Sequence, residues 1–336
     1  MMKVDKIWDR IKSKELANGR FVLFGLIMLL IAIAIIQNFV GLQSLFLPRN
    51  IMNGIIAADN SSAILSVVTT LYRAIPFVTF FIILYFVSNH PTLQFKLFFI
   101  LSGIVFIVTS NPLSTPRYWF GSTFLAIGYF LLRKKILNIS FSWFLLVTLS
   151  IVYPFSDVFR RSLLVKTSIF DRSILLSMQH GFVYKPDFNS FQMLMNSVEY
   201  VRDFGFFYGQ QIFGALFFWV PRVLWSDKPE STGEIIAADR NYPITNLDSP
   251  LMSEGYVDFG IIGLICYMFI HGFLIKRLDR ILIRDTGDVK YLFALFFSFY
   301  QIFFLRGTLM VAVSCLAPLV LIFLFYDKAV FKESRT

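Results

Sequence analysis

The sequence has few charged residues. Asp, Glu, Lys and Arg make up 15% of its 336 residues, whereas a soluble domain contains about 25%. So few polar side chains could not cover the surface of a soluble protein of this length. The composition therefore excludes a soluble enzyme, a nucleic-acid-binding domain and a disordered chain.

Cysteine and histidine are also scarce, with two and three residues. Cys266 and Cys315 each lie inside an apolar run, which does not favour a disulfide or a metal site. The sequence contains no phosphate-binding loop and no HExxH, CxxC or Gly-x-Ser-x-Gly motif. Metal catalysis and serine hydrolysis are therefore unsupported, and we expect neither a metal nor a cofactor.

Apolar residues are abundant instead. They make up 57% of the chain, Phe alone occurs 41 times, and the mean hydropathy is +0.68. Long continuous apolar runs predict an all-α, polytopic transmembrane bundle. The eight predicted spans are 21–40, 63–87, 95–110, 117–132, 139–155, 256–275, 289–305 and 308–326.

The distribution of Lys and Arg predicts the orientation. With the N-terminus inside, the cytoplasmic parts hold 18 of these residues and the short external loops hold 3. The basic tail Met1–Arg20 runs into the first span without a small-residue cleavage site, which is typical of a signal anchor. Both termini are therefore predicted inside and the long loop outside.

The predicted organisation has three parts: transmembrane helices in 1–155, a large external loop in 156–255, and transmembrane helices in 256–336. The loop carries 11 of the 21 acidic residues and 9 basic ones. Within it, Phe206–Trp225 is aromatic, but its strictly apolar part is too short to span. We expect amphipathic or re-entrant helices here, with Phe206–Trp225 forming a helix that lies along or dips into the outer leaflet.

Basic residues occur at several places near the ends of spans on the predicted outer side of the membrane, which we call the outer rim. Arg117 follows a turn with two prolines, Arg222 and Lys228 lie between Pro221 and Pro229, and Arg306 separates two apolar runs. Charges at such places are costly, so they indicate function by default. The same argument applies to Arg73 inside a span. The alternatives are a snorkelling side chain at Arg117 and a structural pair at Arg73.

Separated guanidinium groups on one side of a membrane suit a diphosphate, because they bind phosphate oxygens bidentately. They would also stabilise the charge that grows on a departing diphosphate. Glu254 and Asp258, four residues apart, should share one helix face, and such an acid could take the proton of an attacking hydroxyl. The alternative is a solvated helix N-terminus, which acidic residues suit.

Several of these motifs together resemble the Wzy-type O-antigen polymerases, the oligosaccharide repeat-unit polymerases. The resemblance covers about residues 110–310 and rests on the order of its motifs. They are Asn111-Pro112 to Trp119, Lys185 to Gln192, Pro221 to Pro229, Glu254 to Gly263, and Arg306-Gly307.

The resemblance implies a metal-independent glycosyltransferase, similar in fold to the GT-C class, in the bacterial inner membrane with its site facing the periplasm. It would join undecaprenyl-diphosphate-linked repeat units, with a chain-length regulator and a flippase as partners and no nucleic acid. The implied catalytic residues are Arg117, Arg222, Arg306 and Glu254. The implied substrate-binding residues are Lys228, Arg73, Tyr118, Asp187, Gln192 and Tyr256.

Other functions remain open at this stage. An O-antigen ligase would use the same donor with a lipid A core as acceptor. A flippase or other transporter needs a charged path through the bundle, and Arg73 is the single charge placed well inside a predicted span. A structural subunit would not require three rim arginines. We hypothesise that Arg117, Arg222 and Arg306 converge in one outward-facing pocket with Lys228 nearby.

Overall fold

A computed structural model describes residues 15–47, 51–52, 62–89, 91–134, 139–148, 150, 190–242, 247–284 and 289–331. Every regular element in these ranges is a helix. The α-helices are α1 (Glu15–Ile35), α2 (Ser62–Asn89), α3 (Leu93–Thr109), α4 (Arg117–Arg133), α5 (Phe141–Val147), α6 (Ser190–Phe204), α7 (Gln210–Leu216), α8 (Thr232–Asp239), α9 (Leu251–Arg284), α10 (Val289–Arg306) and α11 (Leu309–Tyr326). Short π-helical turns extend α1 over Ile36–Val40 and α11 over Asp327–Phe331.

Five helical segments are long and apolar enough to cross a membrane. They are Gly19–Val40, Val67–Asn89, Leu251–Arg284, Val289–Arg306 and Leu309–Ala329. Each coincides with one of the predicted spans. The expectation of a helical membrane protein is therefore confirmed.

The other three predicted spans are not established by the structure. The spans predicted at 95–110 and 117–132 correspond to α3 and α4, which have 17 residues each. At 1.5 Å per residue such a helix is about 26 Å long, which is short of a hydrocarbon core of about 30 Å. Of the span predicted at 139–155, α5 supplies seven helical residues, and 151–155 lie outside the described residues. The count of eight spans stays a prediction.

The chain divides into two compact units. The first comprises Met1–Asp171, Asp279–Phe299 and Pro318–Thr336. Helix α2 is its central element, since 78% of its apolar window is buried. Aromatic rings pack around this helix, and the Thr79 hydroxyl shares a 2.6 Å hydrogen bond with the Tyr326 hydroxyl. Buried aromatic area of this kind dominates core packing.

The second unit comprises Arg172–Leu278 and Tyr300–Ala317. It contains α6, α7, α8, most of α9 and the adjoining ends of α10 and α11. A hydrophobic core joins α7, α9 and α11 through Ala215, Leu251, Tyr267 and Leu309. Because α9, α10 and α11 contribute residues to both units, the units do not follow single ranges of the sequence.

Helix α9 is broken near its start. Phe259 and Gly260 have non-helical backbone angles, and Gly260 has a φ of 65° with a ψ of −147°, a region that essentially only glycine adopts. A Cβ atom at Gly255 would lie 2.7 Å from the carbonyl oxygen of Gly263. The glycines therefore let 251–258 fold back closely onto the helix that continues from residue 261.

Candidate functional site

Glu254 lies in the folded-back start of α9, and its carboxylate is buried. One oxygen, Oε2, accepts a hydrogen bond of 2.5 Å from the Thr232 hydroxyl at the start of α8. The other, Oε1, accepts one of 3.0 Å from the backbone N–H of Leu309. Leu309 is the first residue of α11, so Glu254 satisfies one of the amides that a helix leaves unpaired at its N-terminus.

Asp258, one turn further on, has the same kind of role for another helix. Its carboxylate accepts the backbone N–H groups of Gln211 and Ile212 at 3.1 and 3.2 Å. It also accepts the Tyr267 hydroxyl at 2.5 Å. The residue that precedes α7 is Gly209, which has no side chain to cap the helix, so a carboxylate from α9 takes that place.

Arg306 forms an ion pair with Asp248, with 2.5 Å between Nη2 and Oδ2. Both side chains are about one-third exposed. Arg306 ends α10, three residues before the Leu309 amide that Glu254 accepts. Glu254 and Arg306, two of the predicted catalytic residues, therefore belong to one junction between α10 and α11.

Arg222 and Lys228 form a second cationic group. The Arg222 guanidinium donates to the carbonyl oxygen of Lys228 at 2.8 Å. The Lys228 ammonium donates to the carbonyl oxygens of Phe218 and Val220 at 2.6 and 3.0 Å. Partial burial and the neighbouring Arg222 guanidinium lower the pKa of Lys228. Two cations held this close repel each other, and an anion between them would remove that repulsion.

These cations lie at the end of a largely exposed segment, Phe206–Trp225, which we call the apolar segment. Its only α-helix is α7, with seven residues and a length of about 10 Å. The prediction of one helix over the whole of Phe206–Trp225 is therefore wrong, because turns precede and follow α7. The described structure therefore agrees with a segment that does not cross a bilayer. Most of its large side chains point outward, and Val223 and Leu224 are 95% and 81% exposed.

The apolar segment and the α10–α11 junction share a packing contact. A Cβ atom at Gly214 in α7 would lie 2.7 Å from Pro229 and 2.8 Å from Met310. Pro229 follows Lys228, and Met310 follows Leu309. Helix α7 thus packs against both Pro229, the neighbour of Lys228, and the α10–α11 junction to which Glu254 and Arg306 belong.

The first unit holds the other predicted cations. Arg117 is the first residue of α4, and Arg117 and Tyr118 are both half-buried. Arg73 is 6% exposed inside α2, and its Nη2 atom donates to the carbonyl oxygen of Ser114 at 3.0 Å. Arg73 Nε has no hydrogen-bond partner among the described residues. Convergence of Arg117 with Arg222 and Arg306 stays a prediction.

Asn111 organises the turn before α4. Its Nδ2 atom donates to the carbonyl oxygens of Leu45 and Val108 at 2.9 and 2.8 Å. Its Oδ1 atom accepts the backbone N–H groups of Leu113 and Ser114, each at 3.1 Å. The hydrogen bonds of this half-buried amide side chain therefore help to hold the turn that precedes Arg117.

The remaining predicted binding residues are dispersed over the second unit. Gln192 is exposed on α6 and donates to the Asn196 side chain at 2.9 Å. Tyr256 is half-buried on α9, with its ring edge-to-face against Phe206 at 6.4 Å. Asp187 lies outside the described residues.

Sequence reasoning missed two contact partners, Thr232 and Asp248. It also missed that Asp258 caps another helix. Thr232 and Asp248 come from different parts of the loop, 22 and 58 residues from the groups they contact. No local pattern marks such pairs. The spacing of Glu254 and Asp258 was the one available signal, and it predicted a shared face but not two different helix ends.

Within the described ranges, no three His, Cys, Asp or Glu side chains lie close enough together to hold a metal ion. Comparison of the chain with family models, with curated proteins and with solved structures finds no match.

Proposed function

We propose that the protein is a metal-independent glycosyltransferase that joins undecaprenyl-diphosphate-linked repeat units, as the Wzy-type polymerases do. The observation that carries this proposal is the cationic group Arg222–Lys228 at the end of an exposed apolar segment. A polyprenyl diphosphate presents the matching chemistry, because its chain is apolar and its head is doubly anionic.

The proposal includes a location and an architecture. The predicted spans form a GT-C-like bundle of about eight helices in a bacterial inner membrane, and the loop 156–255 faces the periplasm. A flippase would supply the donor and the acceptor, and a chain-length regulator would limit the product. The five candidate spans support the membrane part of this picture.

In the proposed reaction, a hydroxyl of the acceptor repeat unit attacks the anomeric carbon of the donor glycan. A new C–O bond forms, the C–O bond to the diphosphate breaks, and its electron pair stays on the diphosphate. Arg117, Arg222, Arg306 and Lys228 stabilise this growing charge. Glu254 takes the hydroxyl proton, and Arg73, Tyr118, Asp187, Gln192 and Tyr256 contact the bound substrates.

The test is incubation of the purified protein with lipid-linked repeat units, followed by gel separation. A polymerase produces a ladder of products from these units alone. A ligase produces no ladder and requires a lipid A core as acceptor, and a flippase moves the lipid without joining units. Absence of a ladder from protein that is shown to be folded would overturn the proposal.

Variants test the cations individually. We expect alanine at Arg117, Arg222 or Arg306 to reduce polymer formation by about 10²–10³-fold, as is usual when one charge-stabilising contact is lost. Lysine keeps the charge but not the planar fork, so it should restore activity only partly. In cells, these variants should still transfer single repeat units to the surface lipid, because a separate ligase performs that step.

Arg202→Ala is the matched control. Arg202 is an exposed cation on α6 that pairs with its neighbour Asp203 at 3.1 Å, and its loss should leave chain length unchanged. Normal chain length in all three alanine variants would contradict the proposed roles.

A further inference from the structure

The apolar segment exposes many large apolar side chains. Phe213, Leu216, Phe217, Trp219, Val223 and Leu224 are all exposed. Single exposed apolar residues are ordinary, but a contiguous patch marks an interaction surface. The position of this patch within the second unit indicates what covers it.

The segment is attached to the break in α9. The backbone N–H groups of Phe207 and Tyr208 donate to the carbonyl oxygens of Val257 and Asp258, each at 3.0 Å. The Asp258 carboxylate then accepts two amides at the start of α7. These bonds fix the apolar segment at the level of residues 257–260.

That level is one edge of an apolar layer. Beyond the break, α9 directs large apolar side chains outward, with Ile262 73% and Phe269 76% exposed. The first basic residues on this helix are Lys276 and Arg277. From Gly260 to Lys276 the helix rises by about 24 Å, so the break and the basic residues lie near opposite edges of the layer.

We propose that the apolar segment is inserted into one leaflet of the bilayer as an in-plane anchor. Val223 and Leu224 enter the acyl region, and Arg222 and Lys228 lie at the level of the headgroup phosphates. The occupant is membrane lipid because the segment is bonded to the break in α9, at the end of that helix's exposed apolar stretch, and because cations flank the exposed side chains. This inference does not depend on the proposed reaction.

The test measures depth with a fluorescent label in the full-length protein. Cys266 and Cys315 are replaced by alanine, and Leu224→Cys is labelled with NBD and reconstituted into vesicles of zwitterionic and anionic phospholipid. We expect strong quenching by lipids with a spin label high on the acyl chain and little quenching by aqueous iodide. Val223→Cys is the second reporter, in case Leu224→Cys does not fold.

Arg202→Cys is the matched control, because Arg202 is 72% exposed on a helix of the same unit. Its label should be quenched by iodide and little by the spin-labelled lipids. If labels at 223 and 224 are quenched by iodide as strongly as the label at 202, the segment lies in water and the inference is wrong. Shielding from both quenchers also overturns it, because protein, such as a second copy of this chain, then covers the patch.

The unlabelled protein without cysteines is assayed in parallel with lipid-linked repeat units, because a label at position 223 or 224 lies beside Arg222. Quenching by lipid without polymer formation would support the anchor and contradict the proposed function. Polymer formation with quenching by iodide alone would support the proposed function and contradict the anchor. The two proposals therefore fail separately.

Discussion

Glu254 and Asp258 lie one helical turn apart, and each completes the N-terminus of a different helix. Both carboxylates are buried and hydrogen-bonded to backbone amides. A carboxylate at a helix N-terminus is stabilised by the unpaired N–H groups there. These contacts alone would account for both acids, so a chemical role for Glu254 needs a variant that separates structure from proton transfer.

Glu254→Gln is such a variant. The amide oxygen can still accept the Leu309 N–H, and the amide nitrogen can donate to the Thr232 hydroxyl, so stability should change by less than about 1 kcal/mol. Gln cannot take a proton, so polymer formation should fall by about 10²–10⁴-fold if Glu254 is the general base. The measurements are thermal unfolding and the ladder assay.

Asp279→Asn is the control for Glu254→Gln, since it removes an exposed carboxylate from the far end of the same helix. It should leave both measurements unchanged. A normal ladder from the Glu254→Gln protein would restrict Glu254 to its structural contacts.

Asp258→Ala should destabilise the second unit. It leaves the amides of Gln211 and Ile212 and the Tyr267 hydroxyl without their acceptor, and each unsatisfied buried group costs about 1–3 kcal/mol. Asp258→Asn keeps one acceptor oxygen and should cost less. Thermal unfolding in detergent measures both, and equal stability of Asp258→Ala and the unaltered protein would show that α7 does not depend on this carboxylate.

At the scale of elements, the break in α9 positions the candidate site. The reversal at Phe259–Gly260 allows Asp258 to contact Tyr267, nine residues later. In a continuous helix these residues would be about 13 Å apart along the axis. The same reversal brings Glu254 to α8 and α11, and it depends on the close approach of Gly255 and Gly263.

Gly263→Ala should therefore disrupt this region. The added methyl group would overlap the carbonyl oxygen of Gly255, and overpacking of this kind costs about 1–3 kcal/mol. Gly272→Ala lies on the same helix with open space around the new methyl group, and it should be neutral or stabilising by up to about 1 kcal/mol. Thermal unfolding of the two variants compares them, and similar midpoints would contradict the close approach.

At the scale of the whole molecule, the orientation in the membrane decides which side the site faces. The 18 to 3 division of Lys and Arg predicts the loop 156–255 outside and the basic end of α9 inside. Arg202 and Arg284 are described, exposed and on opposite predicted sides.

Single cysteines at these two positions test the orientation. An impermeant maleimide should label Arg202→Cys in intact cells and should label Arg284→Cys only after permeabilisation. The physical reason is that the inner membrane blocks the reagent from the cytoplasmic side. Labelling at position 284 in intact cells would show that the orientation is the reverse of the predicted one, and the proposed site would then not face the periplasm.

The membrane class and five of the spans were predictable from the sequence by itself. Continuous apolar runs have few alternatives in a bilayer, because each backbone polar group must bond within its own helix. The short length of the apolar part of 206–225 likewise predicted that this segment does not span. These conclusions depend only on the composition and length of runs of consecutive residues, and both can be read directly from the sequence.

Tertiary structure alone decided how the polar residues are used. Thr232, Asp248 and Leu309 contact Glu254 or Arg306 across wide gaps in the sequence. The break in α9 lies inside a sequence that looks like one helix. Hydrogen bonds from Phe207 and Tyr208, about 50 residues earlier, and from the Tyr267 hydroxyl hold its fold-back. Hydrogen-bond partners depend on distance in space, which spacing along the chain does not determine once a helix reverses.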